Sequence, residues 1–425
     1  MMKRAILAAL FGVLVLAALV IFLNLRGEDE MHDALPTTPA AAETVSRGAY
    51  LARAGNCVTC HTDRGGAPFA GGRAIETPFG TVYASNLTPD KATGIGNWSA
   101  DNFWRALHNG RGKDGRLLYP AFPYPNYTLV TRADSDAIFD YLRSVPPVQR
   151  ANRAHRLRWP YSTQAALAVW RALYFTAGAN HEERTQSAQF NRGAYLVRGL
   201  GHCSACHITR NFLGASSDMM DLSGGLIPMQ NWYAPSLTSP AEAGVADWDL
   251  AQIEHLLQTG VAPRSAVLGP MAEVVLHSTQ YLLPADLRAM AVYLKALPQT
   301  HEHDAAPVVT MSARMAERGA KIYDQHCAQC HGDKGEGVPG AYPPLAANRA
   351  VNLAVTANLV QVVLNGGFPP STAGNPRPFG MPPFATVLSD ADVAAVISHI
   401  RASWGNHAAP VSEFSVSQQR DTTGS

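Results

Sequence analysis

An unbroken, uncharged and mostly apolar run from Ala5 to Leu25 follows Lys3 and Arg4 at the start of the chain. Its 21 residues suffice to cross a bilayer as a helix, which needs about 20. A cleaved secretory signal has a shorter apolar core ending at a small-x-small site. The nearest such site, Ala40-Ala41-Ala42, lies well past the run. The pattern therefore favours a retained transmembrane anchor over a cleaved signal. Basic residues precede the run, and Glu28, Asp29 and Glu30 follow it with a single Arg26, which orients the rest of the chain outward. Met31 to Thr44, rich in Ala, Pro and Thr, reads as a tether.

Beyond residue 44 the hydrophobic positions recur at helical spacing, in three copies of one unit. Each copy opens with a short amphipathic helix: Arg47-Gly-Ala-Tyr50-Leu, Arg192-Gly-Ala-Tyr195-Leu and Arg318-Gly-Ala-Lys-Ile322-Tyr323. An extended or looped stretch follows at Tyr83-Ala-Ser-Asn-Leu87, Tyr233-Ala-Pro-Ser-Leu237 and Tyr342-Pro-Pro-Leu345. A middle helix then runs over 103–109, 253–259 or 359–365 and stops at Gly110, Gly260 or Gly366, as a left-handed cap would require. A closing helix begins near Asp134, Asp286 or Ser389-Asp, with one face turned inward. His399, where the other copies have tyrosine, reads as a packing residue. Strand signals are weak, so the predicted fold is all-α: three tandem helical domains behind an N-terminal anchor. The boundaries are 1–44 for anchor and tether, then domains at 45–183, 184–305 and 306–406, and a polar, mobile tail at 407–425. Val148 to Gln189 reads as a connecting arm laid over a neighbour, and 301–307 as a short linker.

Composition adds exclusions. A formal net charge of +1 and the absence of a long basic run argue against nucleic acid. No glycine-rich dinucleotide or phosphate loop and no Gly-x-Ser-x-Gly elbow is present.

The chemistry sits between the first helix and the loop of each copy. Cys57-x-x-Cys60-His61, Cys203-x-x-Cys206-His207 and Cys327-x-x-Cys330-His331 use all six cysteines. Two thiols three residues apart can form thioether bonds to the two vinyl groups of one haem, and the next histidine lies under the iron. A disulfide needs no histidine beside it, and zinc would want a second ligand pair nearby. The motifs therefore predict three covalently bound haem c groups, with His61, His207 and His331 as proximal ligands, in a c-type cytochrome exported to a bacterial periplasm.

What fills the sixth position separates electron transfer from catalysis, because methionine opposite histidine closes the iron and raises its potential. Met271 in Leu268-Gly-Pro-Met271 and Met381 in Phe379-Gly-Met381-Pro-Pro fall at matching places, in Pro-containing loops. The first copy has Phe122 there, and no methionine occurs between Met31 and Met219. Phenylalanine cannot ligate iron. The first haem is either five-coordinate or reached by another group, with His108, His155, His181, Tyr124, Tyr127 or another chain as the alternatives. His108 reads as a solvated residue at a helix end.

These motifs, with Gly201-His-Cys-Ser-Ala-Cys-His207-Ile-Thr-Arg-Asn, Pro270-Met271-Ala-Glu-Val, Met381-Pro-Pro-Phe and Ser403-Trp404-Gly-Asn, resemble the triheme cytochrome c subunits of periplasmic, membrane-bound dehydrogenases. The resemblance covers roughly residues 45–406. It implies an electron-transfer subunit with no catalytic residues of its own, anchored in the inner membrane with its haem domains facing the periplasm. A partner catalytic subunit of flavin, pyrroloquinoline quinone or molybdopterin type would oxidise the substrate, with room for a small third subunit. Ubiquinone, another cytochrome or an oxidase would accept the electrons. Members of the family with three methionines exist, and Phe122 departs from them. Two other readings are a cytochrome subunit of a terminal oxidase and a haem enzyme acting at an open first haem.

Overall fold

The computed structural model describes residues 1–216, 218, 220–263, 265–300 and 311–423. The linker expected at 301–307 lies outside them. Contacts divide the chain into two compact units: residues 1–183 with 195–205 and 210–220, and residues 184–194 with 206–209 and 221–425.

In the first unit, α1 (Met2–Leu25) is the apolar helix, and none of its most apolar 18-residue window is buried. α2 (Ala42–Ala54), α3 (Ala100–Asn109), α4 (Tyr124–Tyr127), α5 (Arg132–Ser144) and α6 (Gln164–Tyr174) follow. Ser99 caps α3 by accepting from the Asn102 amide at 3.1 Å, and Asn102 reaches back to the Ser99 amide. α5 starts two residues before the acidic cap expected at Asp134, because the Thr131 hydroxyl accepts the Asp134 amide at 3.2 Å. Three short strands, β1 (Ala74–Thr77), β2 (Gly80–Tyr83) and β3 (Arg156–Leu157), form an antiparallel sheet in that order. The fold is therefore mainly helical with small sheets, rather than free of strands.

The second unit holds α7 (Ala188–Ala194), α8 (Leu250–Thr259), α9 (Pro270–His277), α10 (Pro284–Lys295), α11 (Ala313–His326), α12 (Ala357–Asn365), α13 (Asp390–Arg401) and α14 (Glu413–Thr423). β4 (Gly225–Ile227) pairs with β5 (Trp232–Ala234), and β6 (Val261–Ala262) with β7 (Ser265–Ala266), both antiparallel. The tail expected to be mobile contains α14. Val411 and Val416 are buried against the cluster of Val393, Val396 and Ile397, and the Arg420 guanidinium meets Asp390 at 2.7 Å. Sparse apolar residues in a polar background concealed this docking.

One crossing recurs three times, as α2 on α5, α7 on α10 and α11 on α13. At each the opening helix presents a glycine to the backbone of the closing helix. A Cβ built on Gly48, Gly193 or Gly319 would stand 1.8, 2.0 or 2.3 Å from the carbonyl oxygen of Ala137, Ala289 or Ala395. Only glycine permits so close an approach. The preceding arginine then reaches an aspartate at the start of the closing helix. Arg47 Nε donates to Asp134 at 3.1 Å, Arg192 donates twice to Asp286 at 2.8 and 2.7 Å, and Arg318 Nε donates to Asp392 at 2.8 Å.

Of the arm expected at Val148 to Gln189, residues 148–183 belong to the first unit and 184–189 to the second. α6 carries Arg171, which is buried, and its guanidinium lies over the rings of Tyr124 and Phe175 at 5.1 and 4.7 Å. Arg171 Nε donates to Asn24 Oδ1 at 2.9 Å, and Asn24 Nδ2 donates to the Ala168 carbonyl at 2.9 Å. With a further bond from Nδ2 to the Val20 carbonyl at 2.8 Å, Asn24 is a buried residue with three side-chain hydrogen bonds at the end of α1.

Candidate metal centres

Each of the three histidines sits where its helical turn runs into the loop that was expected to be extended. His61 Nδ1 lies 2.8 Å from the Ser85 carbonyl, His207 Nδ1 2.7 Å from that of Pro235, and His331 Nδ1 3.2 Å from that of Pro343. A carbonyl oxygen can only accept, so Nδ1 carries the proton and Nε2 keeps its lone pair for a metal. Bonding of the remote nitrogen to a carbonyl is what orients metal-bound histidines generally. Burial pushes all three imidazoles below the usual histidine range, with the carbonyl opposing, and so favours the neutral, ligating form.

None of the six cysteines is joined in a disulfide despite their close spacing. Burial, reinforced by the second thiol of the pair, pushes Cys57 up to about 12 and Cys327 up to about 11. Among the described residues no group of three His, Cys, Asp or Glu side chains is arranged to hold a bare metal ion. Two cysteines outside any disulfide and a neutral histidine with its Nε2 available are instead the donor set that a covalently held haem requires.

The glycine ending the middle helix organises the opposite side. Gly110 and Gly260 are left-handed caps, at φ +59° and +81°. Their carbonyls accept from Leu118 and Val267, each at 2.8 Å. Phe122 and Met271 each follow four residues later, so backbone geometry places Phe122 at the position of Met271. Met271 is not in a loop as expected but in the first turn of α9, behind Pro270. Gly269 precedes it at φ +56°, where a Cβ would strike the Trp232 ring at 2.5 Å. In the third copy Gly366 has φ +64° with ψ −158°, which is not a left-handed cap. The next residue, Gly367, pairs with Met381 through backbone bonds of 2.8 and 3.0 Å.

Phe122 meets aromatic neighbours, with the rings of Tyr127 and Tyr124 centred 5.4 and 6.5 Å away. Two of the alternatives to a sulfur ligand, His155 and Tyr127, are hydrogen-bonded elsewhere, whereas the buried His108 Nδ1 and Tyr124 hydroxyl have no such partner among the described residues. His108 stacks on Trp104 at 4.3 Å and is half-buried rather than solvated. His155 Nδ1 accepts the Tyr83 amide at 3.1 Å, and Tyr127 donates its hydroxyl to the Gly55 carbonyl at 3.0 Å. His181 lies on an exposed stretch. The same Gly55 carbonyl lies 3.2 Å from His202 Nε2, and the His202 ring meets the edge of Tyr127 at 5.5 Å. Gly55 and His202 stand two and one residues before Cys57 and Cys203, so this junction links the approaches to two of the motifs. His202, absent from the sequence prediction, was signalled only by its place before Cys203.

Comparison with known proteins decides among the readings. The chain is 38% identical to the cytochrome c subunit of the quinone alcohol dehydrogenase of Gluconobacter oxydans, over 89% of this chain and 82% of that protein. The chain belongs to the dehydrogenase cytochrome c subunits. It is also 37% identical to the gluconate 2-dehydrogenase cytochrome c subunit of Pantoea cypripedii, over 96% and 92% of the two chains. With the fructose dehydrogenase cytochrome subunit of Gluconobacter japonicus it shares 34% identity, over 95% and 88%. Residues 314–400 match the family model described as cytochrome c oxidase, cbb3-type, subunit III. That match covers only the third copy, whereas the dehydrogenase subunits align along nearly the whole chain. The subunits of this family transfer electrons, and the oxidase reading gives way.

Proposed function

We propose that this cytochrome c subunit holds three covalent haems, one per copy, and passes electrons from a partner dehydrogenase to a respiratory acceptor. The observation that carries this reading is the threefold bond from a histidine Nδ1 to a loop carbonyl beside a pair of cysteines. Cys57 and Cys60, Cys203 and Cys206, and Cys327 and Cys330 would attach the groups; His61, His207 and His331 would be the proximal ligands. Bound haem supplies a one-electron iron couple whose potential the protein sets through ligand and burial.

Met271 and Met381 would complete the second and third sites. Each is held by backbone geometry next to a positive-φ glycine, which fixes where its sulfur can reach. Phe122 offers no lone pair, so the first site differs from the other two. The three domains would follow the boundaries at 45, 184 and 306. Burial and bonding of Asn24 support α1 as a retained inner-membrane anchor, with the remaining chain in the periplasm. The partner would be a catalytic subunit of flavin, pyrroloquinoline quinone or molybdopterin type, with a small third subunit possible. The acceptor would be ubiquinone or another cytochrome or oxidase.

A potentiometric titration of the haem-loaded protein tests the ligand assignment. Met381→Ala should lower the potential of one haem and slow electron delivery while leaving covalent attachment intact. A titration identical to that of the unaltered protein would remove Met381 as a ligand.

A further inference from the structure

Within the first unit, α6 is built the wrong way round for a helix in water. Its only charged residue, Arg171, is turned inward and 3% exposed. Its outward stripe is Ala165, Val169 and Leu173, spaced one turn apart, with Val169 47% and Leu173 65% exposed. Trp159 at 82% and Phe212 at 86% are the most exposed large apolar side chains flanking it in this unit outside α1. The Phe212 loop is tied to the helix, because Trp170 Nε1 donates to the Leu213 carbonyl at 3.0 Å. Exposed Arg156 and Arg158 lie just before Trp159.

The position of α6 indicates what covers this face. α1 has 24 residues, or roughly 36 Å of helix, against a hydrocarbon core of about 30 Å. Its last turn therefore emerges at the headgroup level. There the Asn24 side chain binds α6 at both Ala168 and Arg171. We infer that the outward face of α6, with Trp159 and Phe212, lies in the outer-leaflet interface of the bilayer as a second, peripheral membrane contact. This rests on the reading of α1 as a retained anchor. Tryptophan beside arginine, and a helix whose apolar stripe faces outward, are the residues and geometry that an interface between acyl chains and phosphates selects.

The test uses the full, haem-loaded chain with its dehydrogenase partner in vesicles of phosphatidylethanolamine and phosphatidylglycerol. These are doped with a phospholipid carrying a diazirine high on its acyl chain. After illumination, lipid adducts are expected on the tryptic peptides Trp159–Arg171 and Ala172–Arg184 as well as on Ala5–Arg26. The double variant Val169→Gln with Leu173→Gln should lose the adducts on the first two peptides and retain those on Ala5–Arg26. Adducts confined to Ala5–Arg26 in the unaltered protein would overturn the inference while leaving the anchor standing. So would α6 adducts that form on the isolated subunit and vanish in the complex, because a protein surface would then cover the face. Absence of adducts on Ala5–Arg26 would overturn the anchor and the inference with it.

Discussion

Replacing Gly48 by alanine tests the tightest of the three glycine crossings. The new Cβ would stand 1.8 Å from the Ala137 oxygen, 2.6 Å from its carbonyl carbon and 2.8 Å from Tyr141 Cβ, where ordinary contact begins at 3.4 Å. Two terms oppose each other. Alanine favours the helix over glycine by about 1 kcal/mol. Overpacking costs about 1–3 kcal/mol or more. The obstacle is a backbone oxygen of the partner helix, which no side-chain rotation can move, so the upper part of that range applies. Separating α2 from α5 would also loosen Leu51 and Ile138, both buried, and stretch the bonds from Arg47 to Asp134. Overpacking wins, with a net loss of about 2 kcal/mol, which for a unit of this size corresponds to a fall of roughly 4–8 °C in melting temperature. Differential scanning calorimetry of the haem-loaded protein measures it. Gly12→Ala in α1, where nothing lies within 4 Å, serves as the unhindered comparison. A Gly48→Ala protein melting at or above the unaltered temperature would refute the close crossing.

Two further predictions rest on single contacts. Tyr127→Phe removes the hydroxyl but keeps the ring against Phe122 and His202. Because His202 still faces the Gly55 carbonyl, the loss should stay near 0.5–1 kcal/mol, roughly the value of one hydrogen bond; a denaturant midpoint shifted by several times that amount would mean that the hydroxyl does more than bond Gly55. Burial raises Asp392, but hydrogen bonds from Ser389 and Arg318 outweigh it and hold the carboxyl below its ordinary range. A depressed folded value gives stability that is present above the unfolded value, about 4, and is lost as pH falls through the folded one. Asp392→Asn should therefore flatten the stability curve on the acid side below about pH 4; thermal melts that keep the same acid limb would contradict the assignment.

Local signals in the sequence carried much of this organisation. The Arg-Gly-Ala openings, the motifs and the glycines ending the middle helices are short patterns, and the opening, middle and closing helices of each copy lie where hydrophobic spacing predicted them. What stayed hidden was long-range. Arg47 and Asp134 are 87 residues apart, and Arg192 and Asp286 are 94. No periodicity links such partners, although the recurrence of arginine before glycine and aspartate near each closing helix hinted at them. Strands of two to four residues are set by pairing partners rather than by their own composition. The docked tail with α14 was missed because Val411, before the helix, and Val416, within it, are too sparse to register a face. The first site was legible only as a disagreement, Phe122 at a methionine position, and aromatic packing around it explains how that residue is accommodated.

The bonds that orient the three histidines also rank the sites by chain entropy. Each contact closes a loop, of 24 residues for His61, 28 for His207 and 12 for His331. Closure cost grows with the logarithm of loop length, so the third loop is cheaper to close than the second by about 0.7 kcal/mol. Under the proposed attachment, the thioether bonds would need only the five residues of each motif. Attachment and orientation would then be separable events during maturation. A nascent copy would carry its haem before the loop carbonyl arrives to turn the imidazole, and on loop entropy alone the third site would be the first to be set.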